Sequence, residues 1–185
     1  MTMAAFDDAL RRIITGDTPE GESFIMNDDG PSSIMGDVDA GGLFEIWEDV
    51  ASGSLDPKVT DDLGTEKPVL GPRKGNFQVR WFVVNPLPEG VPKPQLDALV
   101  KQAFAQADGD RHMIDQSRHP AMHETHSIDV ICLLKGEVSL ILESGEPTRL
   151  KPGNVVIQRG TNHAWEAHGG PALLLAVLID RDLVN

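Results

Sequence analysis

Two segments near the C-terminal end admit no half-exposed strand. Residues 127–134 carry Ile128, Val130, Ile131, Cys132, Leu133 and Leu134, and Ala172 to Ile179 is apolar at every position. A strand that is apolar in both parities has to be covered on both faces. One face can line the inside of a barrel. The other needs a cover, either strands from the N-terminal half or a second subunit. Around these runs lie further short apolar stretches, Val138 to Leu142 and Val155 to Ile157, set off by Gly136, by the turn at residues 143–147 and by Gly160. Turns about every ten residues point to an all-β sandwich or barrel.

The N-terminal half is organised differently. Residues 4–14 predict a short amphipathic helix, with Phe6, Leu10 and Ile13 or Ile14 on one side. Ser23 to Met26 and Leu43 to Val50 read as strands. In the latter, alternation puts Phe44, Ile46 and Glu48 on one side and Leu43, Glu45 and Trp47 on the other. Residues 51–75, rich in Gly, Pro, Asp and Lys, read as a long loop. Asn76 to Asn85 is a strand by its aromatic and β-branched content. Leu96, Leu99, Val100 and Phe104 recur at helical spacing and predict a helix over 95–107, ended by Gly109. The expected organisation is an N-terminal extension over 1–110, with added strands and one helix, packed on a core barrel over 111–185 as one structural domain.

Charge narrows the partners. The formal net charge is −13, and residues 1–60 hold 13 Asp and Glu against 3 Lys and Arg. Nucleic acid and anionic membrane surfaces are therefore poor partners. No apolar stretch reaches the 18 residues of a spanning helix, and residues 1–12 lack the apolar segment of a signal peptide. Cys132 is the single cysteine, which forbids an intrachain disulfide and fits a reducing, cytoplasmic setting. Its register places it on an outer face, as packing and not as a nucleophile.

All six histidines lie between His112 and His168. A ligand or acid–base site is therefore expected in the second half. One segment runs Met122-His-Glu-Thr-His-Ser-Ile-Asp129, followed six residues later by Gly136. A second runs Pro152-Gly-Asn-Val-Val-Ile-Gln-Arg-Gly-Thr-Asn-His-Ala-Trp165. Together these resemble the two motifs of the cupin superfamily, and within it the short single-domain cupins that share a Gln-Arg-Gly-Thr-Asn-His-Ala-Trp stretch. The resemblance covers about residues 117–167. It implies a double-stranded β-helix, a jelly-roll barrel, with a small-molecule site at its mouth. Its metal-ligand positions fall on His123, Thr125, Asp129 and His163. Two departures stand out: Thr125 occupies the place of a second histidine, and Asp129 that of a glutamate. His126 is the neighbouring imidazole that could substitute.

The chemistry of those residue types supports a site by itself. Neutral imidazoles and one carboxylate suit a divalent transition metal, Zn, Fe, Mn, Ni or Cu, and three protein ligands leave open positions for water or substrate. His123, Asp129, His163 and His126 are the candidate metal ligands. His163, Asp129 and Gln158 are the candidate catalytic residues, and Thr125, Gln158 and Trp165 the candidate pocket residues. Gln158 could equally bind backbone at its turn, and Trp165 could wall a pocket or pack in the core. His112, His119 and His168 read as loop residues.

Three functions stay open: a metal-dependent enzyme on an organic acid or phenolic compound (dioxygenases, decarboxylases, isomerases and dehydratases all occur in the superfamily), a non-catalytic small-ligand-binding cupin without metal, and metal-free acid–base catalysis by His163 and Asp129. Strands apolar on both faces also lead us to expect a homodimer.

Overall fold

The computed structural model describes residue 6 and residues 9–184. In chain order the strands are β1 (Arg12–Asp17), β2 (Ser23–Asp29), β3 (Ser33–Asp37), β4 (Gly41–Val50), β5 (Asn76–Val84), β6 (Ser127–Lys135), β7 (Val138–Leu142), β8 (Thr148–Leu150), β9 (Val155–Gln158), β10 (His163–Ala167) and β11 (Ala172–Asp180), with one α-helix, α1 (Lys93–Gln106), between β5 and β6. A six-stranded antiparallel sheet has the order β3-β4-β5-β11-β6-β9, and a three-stranded sheet the order β10-β7-β8. The inner faces of these two sheets meet in a jelly-roll barrel.

β11 explains the doubly apolar run. It lies between β5 and β6, and its alternate side chains enter two different cores. Ala172, Leu174, Ala176 and Leu178 join Ile131, Leu133, Val138, Leu140, Leu150 and Trp165 inside the barrel. Leu173 packs outward against Phe6, Val38, Phe44, Trp81 and Val83, with Leu175 beside it. The outer cover of β11 is thus this chain's own N-terminal half. β6 is covered less completely, and Val130 keeps 40% of its exposure.

Gly136 allows the β6–β7 turn. Its φ is +85°, and a Cβ there would lie 2.7 Å from Pro171 O and 2.9 Å from Ala172 Cα.

Two local expectations need correction. No α-helix covers the described part of residues 4–14; Ala9 stands in a 3-10 turn, its N–H donating to Phe6 O. Phe6 lies in a turn, residues 1–5, 7 and 8 lie outside the described residues, and Arg12–Asp17 is a strand paired antiparallel with β2. The β-branched run Ile13-Ile14-Thr15 suits an extended backbone better than a helical one. In β4 the simple alternation fails because the register to β5 shifts between Glu45 and Trp47. This bulge puts Glu45 opposite Arg80 and Glu48 opposite Gln78, so two glutamates three residues apart share the inner face, while Phe44 faces Trp81 on the outer one.

Among the described residues, no helix is long and apolar enough to cross a membrane.

Candidate functional site

A cavity of about 460 Å³ opens inside the barrel and is roofed by α1. Leu96, Leu99, Val100, Ala103 and Phe104 of the helix line it, so the apolar stripe read from the sequence faces a cavity and not a sealed core; no α1 residue is fully buried. Phe82 and Val84 of β5, Ile131 of β6, Trp165 of β10 and Leu178 of β11 add apolar wall. The polar groups on the lining include Arg80, His119, His123, Thr125, Asp129 and His163. A mostly apolar hollow with a few convergent polar groups is the usual form of a small-molecule site.

The two motif histidines are brought together by their backbones. His123 and His163 form an isolated antiparallel bridge, each N–H donating to the other's carbonyl at 2.9 Å. Their rings lie 4.3 Å apart between centroids. His123 Nδ1 lies 2.9 Å from Ala121 O, and His163 Nδ1 lies 2.9 Å from Thr161 O. A carbonyl only accepts, so each Nδ1 carries the proton and each Nε2 keeps a lone pair. Burial drives His123 down to about 3, helped by the neighbouring His163 and opposed by the Ala121 carbonyl. Burial likewise takes His163 down to about 4, against the Thr161 and His123 carbonyls. Both rings are neutral at physiological pH.

Asp129 is 2% exposed on β6, and its Oδ1 has no hydrogen-bond partner. Burial raises its pKa to about 6, with Ser127, Arg80 and Thr125 acting in the opposite direction. Thr125 is buried and accepts a hydrogen bond from Ser127 Oγ at 2.8 Å. The floor nearby holds Arg80, buried beside Glu45 with Nη2 and Oε1 3.0 Å apart. Arg80 also donates to the Leu70 and Val69 carbonyls. The Glu45 contact is not aligned as a hydrogen bond: both Glu45 carboxylate oxygens and Arg80 Nε lack one. Burial pushes Glu45 up to about 7, against the pull of Arg80.

The other sequence candidates are placed elsewhere. His126 is exposed outside the cavity, its carbonyl bonded to Arg181 N–H, so it does not replace the histidine missing at Thr125. Gln158 pairs with Asp129 across β6 and β9, but its Nε2 donates to the carbonyl and hydroxyl of Thr161. It braces the β9–β10 turn at Gly160 and is not on the cavity lining. Trp165 does both things considered for it: it is 8% exposed in the barrel core, and it meets the His163 ring edge-on at 5.7 Å. Cys132 is half-buried.

His119 is the residue the sequence reading missed. It lies in a loop, as read, but is 6% exposed and on the cavity lining. Its position before Pro120, outside both motifs, gave no signal of this. His112 and His168 have local roles, bonded to Glu124 O and Ser139 Oγ respectively, each at 2.8 Å.

The donor set falls short of a transition-metal cage. A catalytic centre needs about three protein ligands. Among the described residues, no three His, Cys, Asp or Glu side chains stand close enough to hold one ion. His123 and His163 offer two imidazole lone pairs, and the threonine at 125 supplies no third.

Comparison with known proteins gives local matches. No family model matches the sequence. Phomopsin biosynthesis cluster protein C' of Diaporthe leptostromiformis is 57% identical over 44 residues, 24% of this chain and 23% of that protein. Cupin-domain-containing oxidoreductases of Hypocrea virens and Aspergillus ruber are 36% and 33% identical over 63 residues, covering 32% of this chain in each case and 32% and 31% of those proteins. The matches thus span between about a quarter and a third of the curated relatives. Among solved structures, a cupin domain from Schizosaccharomyces pombe covers 92% of this chain and 87% of its own length, at 12% identity and a TM-score of 0.41. Two motifs at cupin spacing, a jelly roll whose inner face carries the His123–His163 bridge, and local identity to cupin-domain proteins agree: the chain has the cupin jelly-roll fold and is locally similar to cupin-domain oxidoreductases over about a third of its length.

Proposed function

We propose that this cupin binds a small, predominantly apolar organic molecule inside the barrel, with the molecule's polar group at the His123–His163–Asp129 end, and that Asp129 is the proton acceptor for chemistry on it. The observation that carries this is a cavity of about 460 Å³ with apolar walls and a buried carboxylate oxygen that no protein group satisfies. A proton acceptor works best when its pKa lies near the working pH. Asp129, near 6, meets that condition, whereas the histidines, near 3 and 4, are too weakly basic. Isomerisation and dehydration are the reaction types that need such a group. The test is a calorimetric binding screen of neutral and acidic aromatic compounds against the wild type and Asp129→Asn, with turnover followed by product analysis. Binding retained with turnover lost in the variant supports the assignment. Binding to no compound at millimolar concentration overturns it.

A second reading follows from the two imidazole lone pairs at the His123–His163 bridge and from the oxidoreductase names of the Hypocrea and Aspergillus relatives. A divalent transition metal would there be held by two histidines, with water in the remaining positions. Elemental analysis separates the two readings. Stoichiometric metal that disappears in His163→Ala supports the second; none after reconstitution supports the first.

The same reading includes a cytoplasmic homodimer. Val130, Val155 and Ile157 leave an apolar strip on the outer face of β6 and the edge strand β9, with Val155 at 56% and Ile157 at 52% exposure. Sedimentation at micromolar concentration should give a dimer, and a monomer would refute it.

A further inference from the structure

His119 and His123 are both bonded to the peptide groups of Ala121, in opposite senses. His119 Nδ1 accepts from the Ala121 N–H at 3.1 Å, whereas His123 Nδ1 donates to the Ala121 carbonyl at 2.9 Å. A neutral imidazole has one donor and one acceptor nitrogen. His119 therefore carries its proton on Nε2, and His123 its lone pair there. His119 Nε2 is buried and has no partner. Burial holds its pKa below the ordinary histidine value, against Glu166, so the ring is neutral. An unsatisfied buried N–H is costly unless a ligand meets it.

His119, His123, His163 and Asp129 all stand on the cavity lining, and two of their polar atoms, the donor His119 Nε2–H and the acceptor Asp129 Oδ1, have no partner in the protein. The cavity's charge is already balanced towards the negative. The one guanidinium on the lining, Arg80, has Glu45, Glu48 and Asp129 as its charge partners. Glu48 is paired with Arg73, so an anionic ligand would be a third carboxylate, after Glu45 and Asp129, beside Arg80.

Resting on the small-molecule reading above, we infer that the ligand is an uncharged aromatic or polycyclic compound bearing both a hydroxyl and a carbonyl, that His119 is the specificity residue that donates to the carbonyl, and that carboxylic acids are rejected. The hydroxyl donates to the imidazole and carboxylate acceptors, and the apolar body lies along Phe82, Phe104 and Trp165.

Four naphthalene probes test this by calorimetric titration of the full chain. Acetylnaphthol carries donor and acceptor, ethylnaphthol the hydroxyl only, acetylnaphthalene the carbonyl only, and hydroxynaphthoate a carboxylate. Acetylnaphthol should bind roughly tenfold more tightly than either single-function probe and at least tenfold more tightly than the carboxylate. His119→Phe should bring the ratio of acetylnaphthol to ethylnaphthol affinity, measured in the same variant, close to one, and His119→Gln, which keeps an N–H donor, should restore part of the wild-type ratio. Hydroxynaphthoate binding as tightly as acetylnaphthol would overturn the inference and leave the cavity reading standing. Equal affinity of wild type for acetylnaphthol and ethylnaphthol would remove His119 from specificity without the need of any variant. Binding of none of the four at millimolar concentration would overturn both.

Discussion

His119 and His123 stand in opposite tautomers across Ala121, one accepting from its N–H and the other donating to its carbonyl. Four bonds of backbone thus decide which way each ring polarises the cavity. His163, bonded through Nδ1 to Thr161 O, matches His123 and not His119.

Acid should unfold the protein early. His123 and His163 are held near 3 and 4 when folded, against 6.5 when exposed. A depressed histidine contributes its full stability above about pH 6.5, and that contribution falls as pH drops towards 4, because the unfolded chain then takes up the protons. Melting temperature by circular dichroism should therefore fall between pH 6.5 and 4, and should fall less in His163→Gln. An equal slope in that variant would refute the assignment.

Asp129 acts in the other direction. Its raised pKa means that the ionised form is disfavoured in the fold, a penalty absent below about pH 4 and complete above about pH 6. Asp129→Asn should leave stability near pH 4 almost unchanged and raise it at pH 7.5 by up to about 3 kcal/mol. Urea denaturation at the two pH values checks this; destabilisation at pH 7.5 would show that the carboxylate is instead a net stabilising partner.

The buried Glu45–Arg80 contact should respond unequally to its two partners. Glu45, pushed up to about 7 by burial, is already partly protonated at neutral pH, so Glu45→Gln should change stability by less than about 1 kcal/mol. Arg80→Met leaves Glu45 without its cation and should cost about 3–5 kcal/mol. Comparable losses for the two variants, measured by denaturant titration, would contradict this.

On β11, Leu173→Ala and Leu174→Ala should each cost about 2–5 kcal/mol, although they are neighbours and point to opposite faces, because each empties a different core. Val155→Ala, at 56% exposure on the sheet edge, should cost under about 1 kcal/mol in a monomer. A larger loss at Val155 would mark it as an interface residue.

Strong periodicity made most of this fold readable in advance. The doubly apolar runs of β6 and β11, the β-branched run of β5 and the stripe of α1 all point to their elements, because burial repeats along them. What escaped had no repeat to read. β3 and β8 are short and carry few apolar residues, so they are strands only because a neighbour pairs with them. The bulge at Glu45–Trp47 inverts alternation without any Gly or Pro to mark it. In the site, spacing singled out His123, Asp129 and His163, and the fold places all three on the cavity lining, since the motif itself closes the His123–His163 bridge. It could not show that His126 turns outward, that Gln158 is occupied by Thr161, or that a proline-flanked histidine at 119 folds in under the helix.

The central place of β11 in its sheet has a consequence for the order in which the protein can be made. β5 pairs with a strand that begins 88 residues after it ends, and Phe44, Trp81 and Val83 bury their faces against Leu173. A chain leaving the ribosome therefore carries five of the six strands of its largest sheet without the strand that joins its halves. Closing so long a loop is slow, and apolar edges stay open to other chains meanwhile. Protection of the β5 amides that pair with β11 should appear only once residues 172–180 are available, which makes synthesis and folding of this barrel sequential events with an aggregation-prone interval between them.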